Sequence, residues 1–172
     1  MAETQSESAR PTDPVGRALL YCSYLLAVAG GLLMASLAIM TVVSVIGRKF
    51  FAAPVPGDFE LMQVGNAVAV FLFLPYCHLM RGNVIVDIFL SWAPRRVQTF
   101  CDAVAGLILS SIAGMLAWRA ALGGIDMFHY NEVTYILGIP IWPAFPFAAL
   151  SLAVLCLNAI YTGLRDLRDS VR

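Results

Sequence analysis

The stretch ALLYCSYLLAVAGGLLMASLAIMTVVSVIG, residues 18–47, contains no charged side chain. About 20 consecutive apolar residues carry an α-helix across the hydrocarbon core of a bilayer, so this stretch is long enough to span a membrane. A cleavable secretory signal has a shorter apolar core of about 7–15 residues. We therefore predict that residues 18–47 form a transmembrane helix and not a leader.

Three further uncharged stretches follow along the chain, at residues 61–80, 103–118 and 133–164. The second of these three is short. It can be lengthened at both ends, because Asp102 lies near the membrane edge and Arg119 can extend past Trp118 toward the headgroups. The chain is therefore predicted to be an all-α integral membrane protein with four transmembrane helices. The predicted spans are residues 18–47, 60–80, 97–121 and 134–164.

The composition favours the same class of protein. Hydrophobic residues make up 60% of the chain and charged residues 13%, whereas a soluble domain carries about 25% charged residues. Residues 1–14 are polar and contain two prolines, so we expect a disordered tail followed by a single four-helix transmembrane domain over residues 15–172. The balanced charge argues against nucleic acid as a partner.

The basic residues predict the orientation in the membrane. The two tails and the middle connection hold most of them: Arg10, Arg17, Arg81, Arg95, Arg96, Arg165, Arg168 and Arg172. The other two connections hold only Arg48, Lys49 and Arg119. Because positive charge accumulates on the cytoplasmic side, both termini are predicted to be cytoplasmic.

The connection RGNVIVDIFLSWAPRR, residues 81–96, has an amphipathic pattern. Its apolar residues share one helical face, while Asn83, Asp87 and Ser91 repeat every four residues on another. This pattern predicts a short interfacial helix between spans two and three. The alternative is that Val84 to Val86 simply continue the second span.

Polar groups within the predicted spans are few. No acid or base falls near the midplane of a span, where pumps and carriers place their ion ligands. The amides Gln63, Asn66 and Asn158 are predicted to form hydrogen bonds between helices. Small residues at four-residue steps predict close helix packing, at Ala27, Gly31 and Ala35 in span one and at Gly106, Ser110 and Gly114 in span three.

Catalytic and metal-binding patterns are missing from the sequence, so we expect neither an enzyme nor a bound cofactor. The four cysteines lie in apolar runs without a C-x-x-C pair. The alternative from another class is a haem-binding membrane anchor of a respiratory complex, with His78 and His129 as axial ligands. Against it, the two histidines are predicted at opposite ends of the membrane domain.

Several motifs resemble one transporter family. GRKFF (47–51) is followed by a Pro/Gly turn, by FELMQ (59–63) and by the amphipathic connection described above, and TYILGIPIW (134–142) opens the fourth span. Over about residues 17–165 the chain resembles the small permease subunit of tripartite ATP-independent periplasmic (TRAP) transporters, the DctQ type.

The resemblance implies a role that depends on partners. Such subunits sit in the bacterial inner membrane and scaffold a large permease subunit of about a dozen helices, which performs ion-coupled symport. A periplasmic substrate-binding protein delivers a small organic anion, typically a carboxylate. The resemblance therefore implies organic acid uptake, with the lipid bilayer and these two proteins as partners.

Two candidate contact surfaces follow from the charges and the prolines. The outer cluster that includes Arg48, Lys49 and Glu60 is a candidate docking surface for the binding protein, through electrostatic attraction at its rim. Asp87 and the proline-rich start of span four, with Trp142, are candidate contacts of the large subunit. The alternative is that these charges are solvated loop residues that only set the topology.

Overall fold

The structure is a computed structural model, which describes residues 14–51, 55–80 and 95–171. These residues form four long helices. They are α1 (Pro14–Phe51), α2 (Asp58–Leu79), α3 (Arg95–Tyr130) and α4 (Ala144–Val171). All four are long and apolar enough to cross a membrane, which confirms the predicted all-α membrane protein. The predicted interfacial helix and the tail up to residue 13 lie outside the described residues.

The helices differ in length, and only one matches the bilayer. At a rise of 1.5 Å per residue, α2 with 22 residues is about 33 Å long, close to the ~30 Å hydrocarbon core. α1 has 38 residues and α3 has 36, so each is about 55 Å long. Both longer helices therefore tilt in the bilayer or extend beyond it.

The third helix continues past the position where its span was expected to end. It runs to Tyr130, although Gly123 and Gly124 are typical of a loop. A Cβ atom on Gly124 would lie 2.8 Å from the Cβ of Phe145, and one on Gly123 would lie 3.2 Å from its ring. The two glycines thus make room for a side chain of α4, and this packing offsets their cost of about 1 kcal/mol each in a helix.

The fourth helix begins at Ala144, ten residues after the predicted start of its span. Residues 131–143, named here the α3–α4 turn, instead form a compact loop with an antiparallel bridge between Val133 and Pro140. Pro140 and Pro143 cannot donate backbone hydrogen bonds, which delays the helix, whereas Pro146 is tolerated in its first turn.

α2 lies between α1 and α4, and α3 packs along the opposite side of α4. The α3–α4 interface is the most extensive, followed by α1–α2 and α2–α4, while α1 touches α4 over a short stretch. A small core forms where Ala113, Leu152 and Leu155 meet Phe71. The end of the bundle that carries the α3–α4 turn is called the turn end below, and the opposite end is called the tail end.

Small residues allow the closest approaches between helices. A Cβ atom on Gly106 of α3 would lie 3.3 Å from the Cα of Gly163 in α4, so the two backbones nearly touch. In α1, Gly30 faces α2, with a Cβ position 3.1 Å from the Cβ of Leu72. A Cβ atom on Gly31 would have no described atom within 4 Å, so the predicted close packing at Gly31 was wrong within the described part of the chain.

Candidate functional site

The α3–α4 turn is attached to the start of α2 by one carboxylate. Glu60, in the first turn of α2, accepts hydrogen bonds from the backbone N–H groups of Ile136 (2.9 Å) and Leu137 (3.3 Å). Within the turn, the Thr134 N–H donates to the Ile139 carbonyl at 2.9 Å. Glu60 therefore holds a prefolded loop against the turn end of α2.

Gly57 completes this attachment. Its φ of 73° lies in the left-handed region, where residues with a side chain are disfavoured. An added Cβ atom would also lie 2.4 Å from the Cγ of Leu137. Backbone conformation and space thus both require glycine, and the side chain of Leu137 occupies the place that a Cβ atom would take.

Large apolar side chains remain exposed around the attached turn. They come from the turn itself and from the adjoining ends of α1 and α2, and they are Phe50, Phe51, Phe59, Tyr135 and Ile136. The Tyr135 side chain is fully exposed. Aromatic rings at the end of a membrane span are suited to the headgroup region, and they also occur at protein interfaces.

Arg48 and Lys49 lie in the last turn of α1, beside the start of α2. The Asp58 carboxylate accepts a hydrogen bond from the Ser44 hydroxyl at 2.5 Å, and the Arg48 guanidinium lies 3.5 Å from the same carboxylate oxygen. The Asp58 carboxylate also accepts from the Phe59 N–H at 2.8 Å, which satisfies a free donor at the start of α2. Lys49 is exposed and forms no ion pair within the described part of the chain, so its charge faces outward.

Trp142 packs mainly against its own chain. Its ring lies edge-on to that of Phe128, with 5.5 Å between the ring centroids and an interplanar angle of 89°. The side chain remains 37% exposed, so part of the ring is available to a partner. The structure thus brings Arg48, Glu60 and Trp142 to the turn end, whereas Asp87 lies outside the described residues.

A proline inside α2 creates a polar link to α4. Pro75 has no N–H, so the carbonyl of Phe71 one turn earlier loses its helical hydrogen bond. The Ser151 hydroxyl of α4 donates to this carbonyl. In a membrane such a freed carbonyl needs a partner, and a side chain from the neighbouring helix supplies it.

Asn158 of α4 connects three helices. Its side-chain amide donates to the Ser23 hydroxyl of α1 at 2.8 Å and to the Pro75 carbonyl of α2 at 3.1 Å. Both Asn158 and Ser23 are fully buried. The amide thus forms interhelical hydrogen bonds, as its residue type had suggested. Gln63 and Asn66, which were expected to do the same, face outward instead.

A third polar contact between α2 and α4 lies at the tail end. His78 Nε2 lies 3.2 Å from the Thr162 hydroxyl oxygen. The Thr162 hydroxyl itself donates to the Asn158 carbonyl at 3.0 Å, so the imidazole N–H donates to the hydroxyl. Sequence reasoning had not assigned a role to this histidine outside the haem alternative.

The histidines do not form a shared ligand site. His78 lies at the tail end of α2, whereas His129 lies in the last turn of α3 beside the α3–α4 turn. Among the described residues, no group of three His, Cys, Asp or Glu side chains is placed to hold a metal ion. This separation gives no support to the haem-anchor alternative.

A model of a known protein family matches most of the chain. The chain fits the family model for "Tripartite ATP-independent periplasmic transporters, DctQ component" over residues 37–169. No curated protein and no solved structure matches it significantly. The matched region contains α2, α3, nearly all of α4 and the last part of α1, so it includes the attached turn and the links through Ser151 and Asn158. The chain therefore belongs to the DctQ family, the small membrane component of the tripartite ATP-independent periplasmic transporters.

Proposed function

We propose that this chain scaffolds a larger permease during ion-coupled, binding-protein-dependent uptake of a small organic anion that carries a carboxylate. The positions of its acidic residues favour a scaffold over a carrier. In the four described spans the acids are Asp58, Glu60 and Asp126, each within about one turn of a span end. A carrier places its ion ligands near the midplane, so the ion-binding chemistry belongs to a partner.

The exposure of the helices supports the same proposal. Only 6% to 28% of the most apolar stretch of each span is buried within the chain. Apolar surface left exposed at membrane depth is covered by lipid or by other transmembrane helices. α1, with the lowest buried share and a length of about 57 Å, offers a long face for such contacts.

The same proposal includes a location and an orientation. The chain lies in the bacterial inner membrane with both termini in the cytoplasm, as the distribution of basic residues favours. The turn end then faces the periplasm, where a binding protein delivers its ligand. The exposed charge of Lys49 and the exposed ring of Tyr135 lie at that end.

Purification with its partners tests the scaffold proposal. The tagged chain, extracted from its native membrane in mild detergent, is expected to bring down a large hydrophobic permease in a fixed ratio. Vesicles that hold both proteins should take up a small carboxylate only when an ion gradient and the binding protein are present. A chain that purifies alone, or that transports alone, would refute the proposal.

Charge reversal tests the docking of the binding protein at the turn end. Lys49→Glu is the cleaner change, because Arg48 also contacts Asp58 and its loss would disturb the start of α2. We expect a several-fold lower association rate and a weaker dependence on salt, since rim charges mainly steer encounters. Arg17→Glu, at the tail end, is the matched control. If Lys49→Glu and wild type show the same association rate and the same salt dependence, this surface does not dock the binding protein.

Contact of the large subunit with Asp87 and Trp142 remains part of the proposal. Trp142→Ala is expected to lower the yield of co-purified permease. Because this change also removes the packing on Phe128, the matched variant is Phe128→Ala, which removes that packing and keeps the indole. If both variants lower the yield of co-purified permease, the loss results from a disturbed α3–α4 turn and not from a missing contact of the indole. If the Asp87→Ala variant co-purifies with the permease at full yield, Asp87 is not part of the contact.

A further inference from the structure

One side of α2 is exposed along its whole length. Its residues recur at alternating steps of four and three, and they are Phe59, Gln63, Asn66, Val70, Phe73 and Cys77. All six are exposed, with Phe59 at 75% and Val70 at 54%. We name this stripe the α2 seam.

The other two sides of α2 are covered by helices of the same chain. Toward α1, a Cβ atom on Gly65 would lie 2.7 Å from Cδ1 of Leu37, and Leu72 packs on Gly30. Toward α4, the Phe71 carbonyl accepts from Ser151 and the Pro75 carbonyl accepts from Asn158. The α2 seam is thus the remaining side of α2. Its edge reaches α1 at Phe73, whose Cε1 atom would lie 3.5 Å from a Cβ atom on Gly30.

Two amides of the α2 seam lie at a depth where lipid cannot satisfy them. α2 is about as long as the hydrocarbon core is thick, and Asn66 lies eight residues, about 12 Å, after Asp58. No described residue forms a hydrogen bond with the side chain of Asn66 or of Gln63. An amide facing hydrocarbon tails without a partner is unfavourable.

Two exposed hydroxyls in the spans do not have this problem. Ser36 donates to the Leu32 carbonyl of its own helix at 2.8 Å, and Ser111 donates to the Leu107 carbonyl at 3.0 Å. Such back-bonded hydroxyls can face lipid with their hydrogen donor satisfied. The two amides differ from these hydroxyls, because their hydrogen bonds are unmet within the described part of the chain.

The spacing of the α2 seam indicates what covers it. Steps of four and three keep a stripe facing one neighbouring helix, which packs lengthwise with its side chains between those of the seam. A polar residue at one position of such a stripe fixes the register of the pair. Asn66 lies inside the stripe, between Gln63 and Val70, where it can serve this purpose.

We infer that the α2 seam is the surface on which one transmembrane helix of the large permease component packs, with a polar side chain opposite Asn66. This inference rests on the proposed scaffold function. A helix of another protein supplies what lipid lacks, namely hydrogen-bonding groups at membrane depth. The large component is the membrane partner that a tripartite transporter provides, and a second copy of this chain is an outcome that the experiment separates.

Site-specific photo-crosslinking tests the seam in the assembled complex. The full chain, co-expressed with the large permease in its native membrane, carries a benzophenone amino acid in place of Asn66 or Val70. The matched control position is Ile112, which is equally exposed but lies on α3. We expect adducts with the mass of the permease at both seam positions, in several-fold higher yield than at the control.

Other crosslinking results overturn the inference in distinguishable ways. Adducts with a second copy of the chain, adducts with lipid alone, or equal yields at Ile112 would each reject the seam as the permease contact. If the chain still co-purifies with the permease in those cases, the proposed function survives. If no permease co-purifies at all, both fail together.

An amide replacement gives an independent readout. Asn66→Leu keeps a side chain of similar size in the α2 seam and removes the hydrogen bond. In membranes this loss corresponds to a roughly three- to twenty-fold weaker association with the permease. Ser111→Ala is the matched control and should leave the association unchanged. Circular dichroism verifies that both variants keep their helices. Undiminished association of a folded Asn66→Leu variant would contradict a hydrogen bond at this position.

Discussion

Asn158 joins three helices through one side chain, and replacing it tests how much that connection stabilises the chain. Asn158→Ala removes the hydrogen bonds to Ser23 and to the Pro75 carbonyl. Hydrogen bonds between membrane helices are worth on average about 0.6 kcal/mol and at most about 1.7, so the two together contribute about 1 to 3 kcal/mol. The cavity left by the missing amide adds to this loss.

A double-mutant cycle isolates the hydrogen bond from the cavity. Ser23→Ala, Asn158→Ala and the double variant are unfolded with SDS in mixed micelles, and tryptophan fluorescence reports the free energy of unfolding. We expect a coupling energy of about 0.6 kcal/mol between the two sites, because the cavity term cancels in the cycle. Ser36→Ala is the control, since its exposed hydroxyl bonds only to its own helix. A coupling energy of zero within error would refute the hydrogen bond between Asn158 and Ser23.

Three further predictions concern the turn end and the helix contacts. Gly57→Ala should lower the free energy of unfolding by about 1–2 kcal/mol or more, because the backbone of Gly57 is left-handed and Leu137 fills the site. Gly31→Ala lies in open space and should be neutral or stabilising by up to about 1 kcal/mol. A Gly31→Ala variant less stable to SDS than Gly57→Ala would contradict this. Glu60→Ala should speed hydrogen exchange at the two turn amides that it binds, measured by mass spectrometry, while Glu132→Ala leaves them unchanged. Gly106→Val should cost about 1–3 kcal/mol because α3 and α4 must separate, and a variant as stable as wild type would exclude the close approach.

The number of spans could be predicted because the bilayer sets a simple requirement on length and charge. Long uncharged stretches are visible in the sequence, and all four of them, including the short one at residues 103–118, correspond to helices in the structure. The ends of the helices were less predictable. The Gly-Gly pair in α3 is typical of a loop, yet the ring of Phe145 fills the space above it and the helix continues.

Rotation of the helices about their axes was also beyond the sequence. Neighbouring glycines at 30 and 31 differ by about 100° around α1, and only packing against Leu72 selects Gly30 as the contact. The same holds for the amides. Their residue type predicts hydrogen bonding, but Asn158 is turned inward between α1 and α2, while Asn66 is turned outward.

The candidate contact residues illustrate a further limit. Glu60 was predicted at a partner surface on the basis of its charge, but its carboxylate accepts hydrogen bonds from residues 76 and 77 positions later in the chain. Trp142 likewise covers Phe128. Both residues thus have contacts within their own chain that the sequence did not indicate, and their contact with a partner stays a prediction.

The sequence by itself determined the membrane class, the four spans and the resemblance to the DctQ type, because each depends on local composition or on short motifs. The tertiary structure alone decided which faces of the helices are covered, how the α3–α4 turn is attached to α2, and which amides have no hydrogen-bond partner among the described residues. These properties depend on the relative rotation and register of helices far apart in the chain. Rotation and register are set by the shapes that fit together when the helices pack.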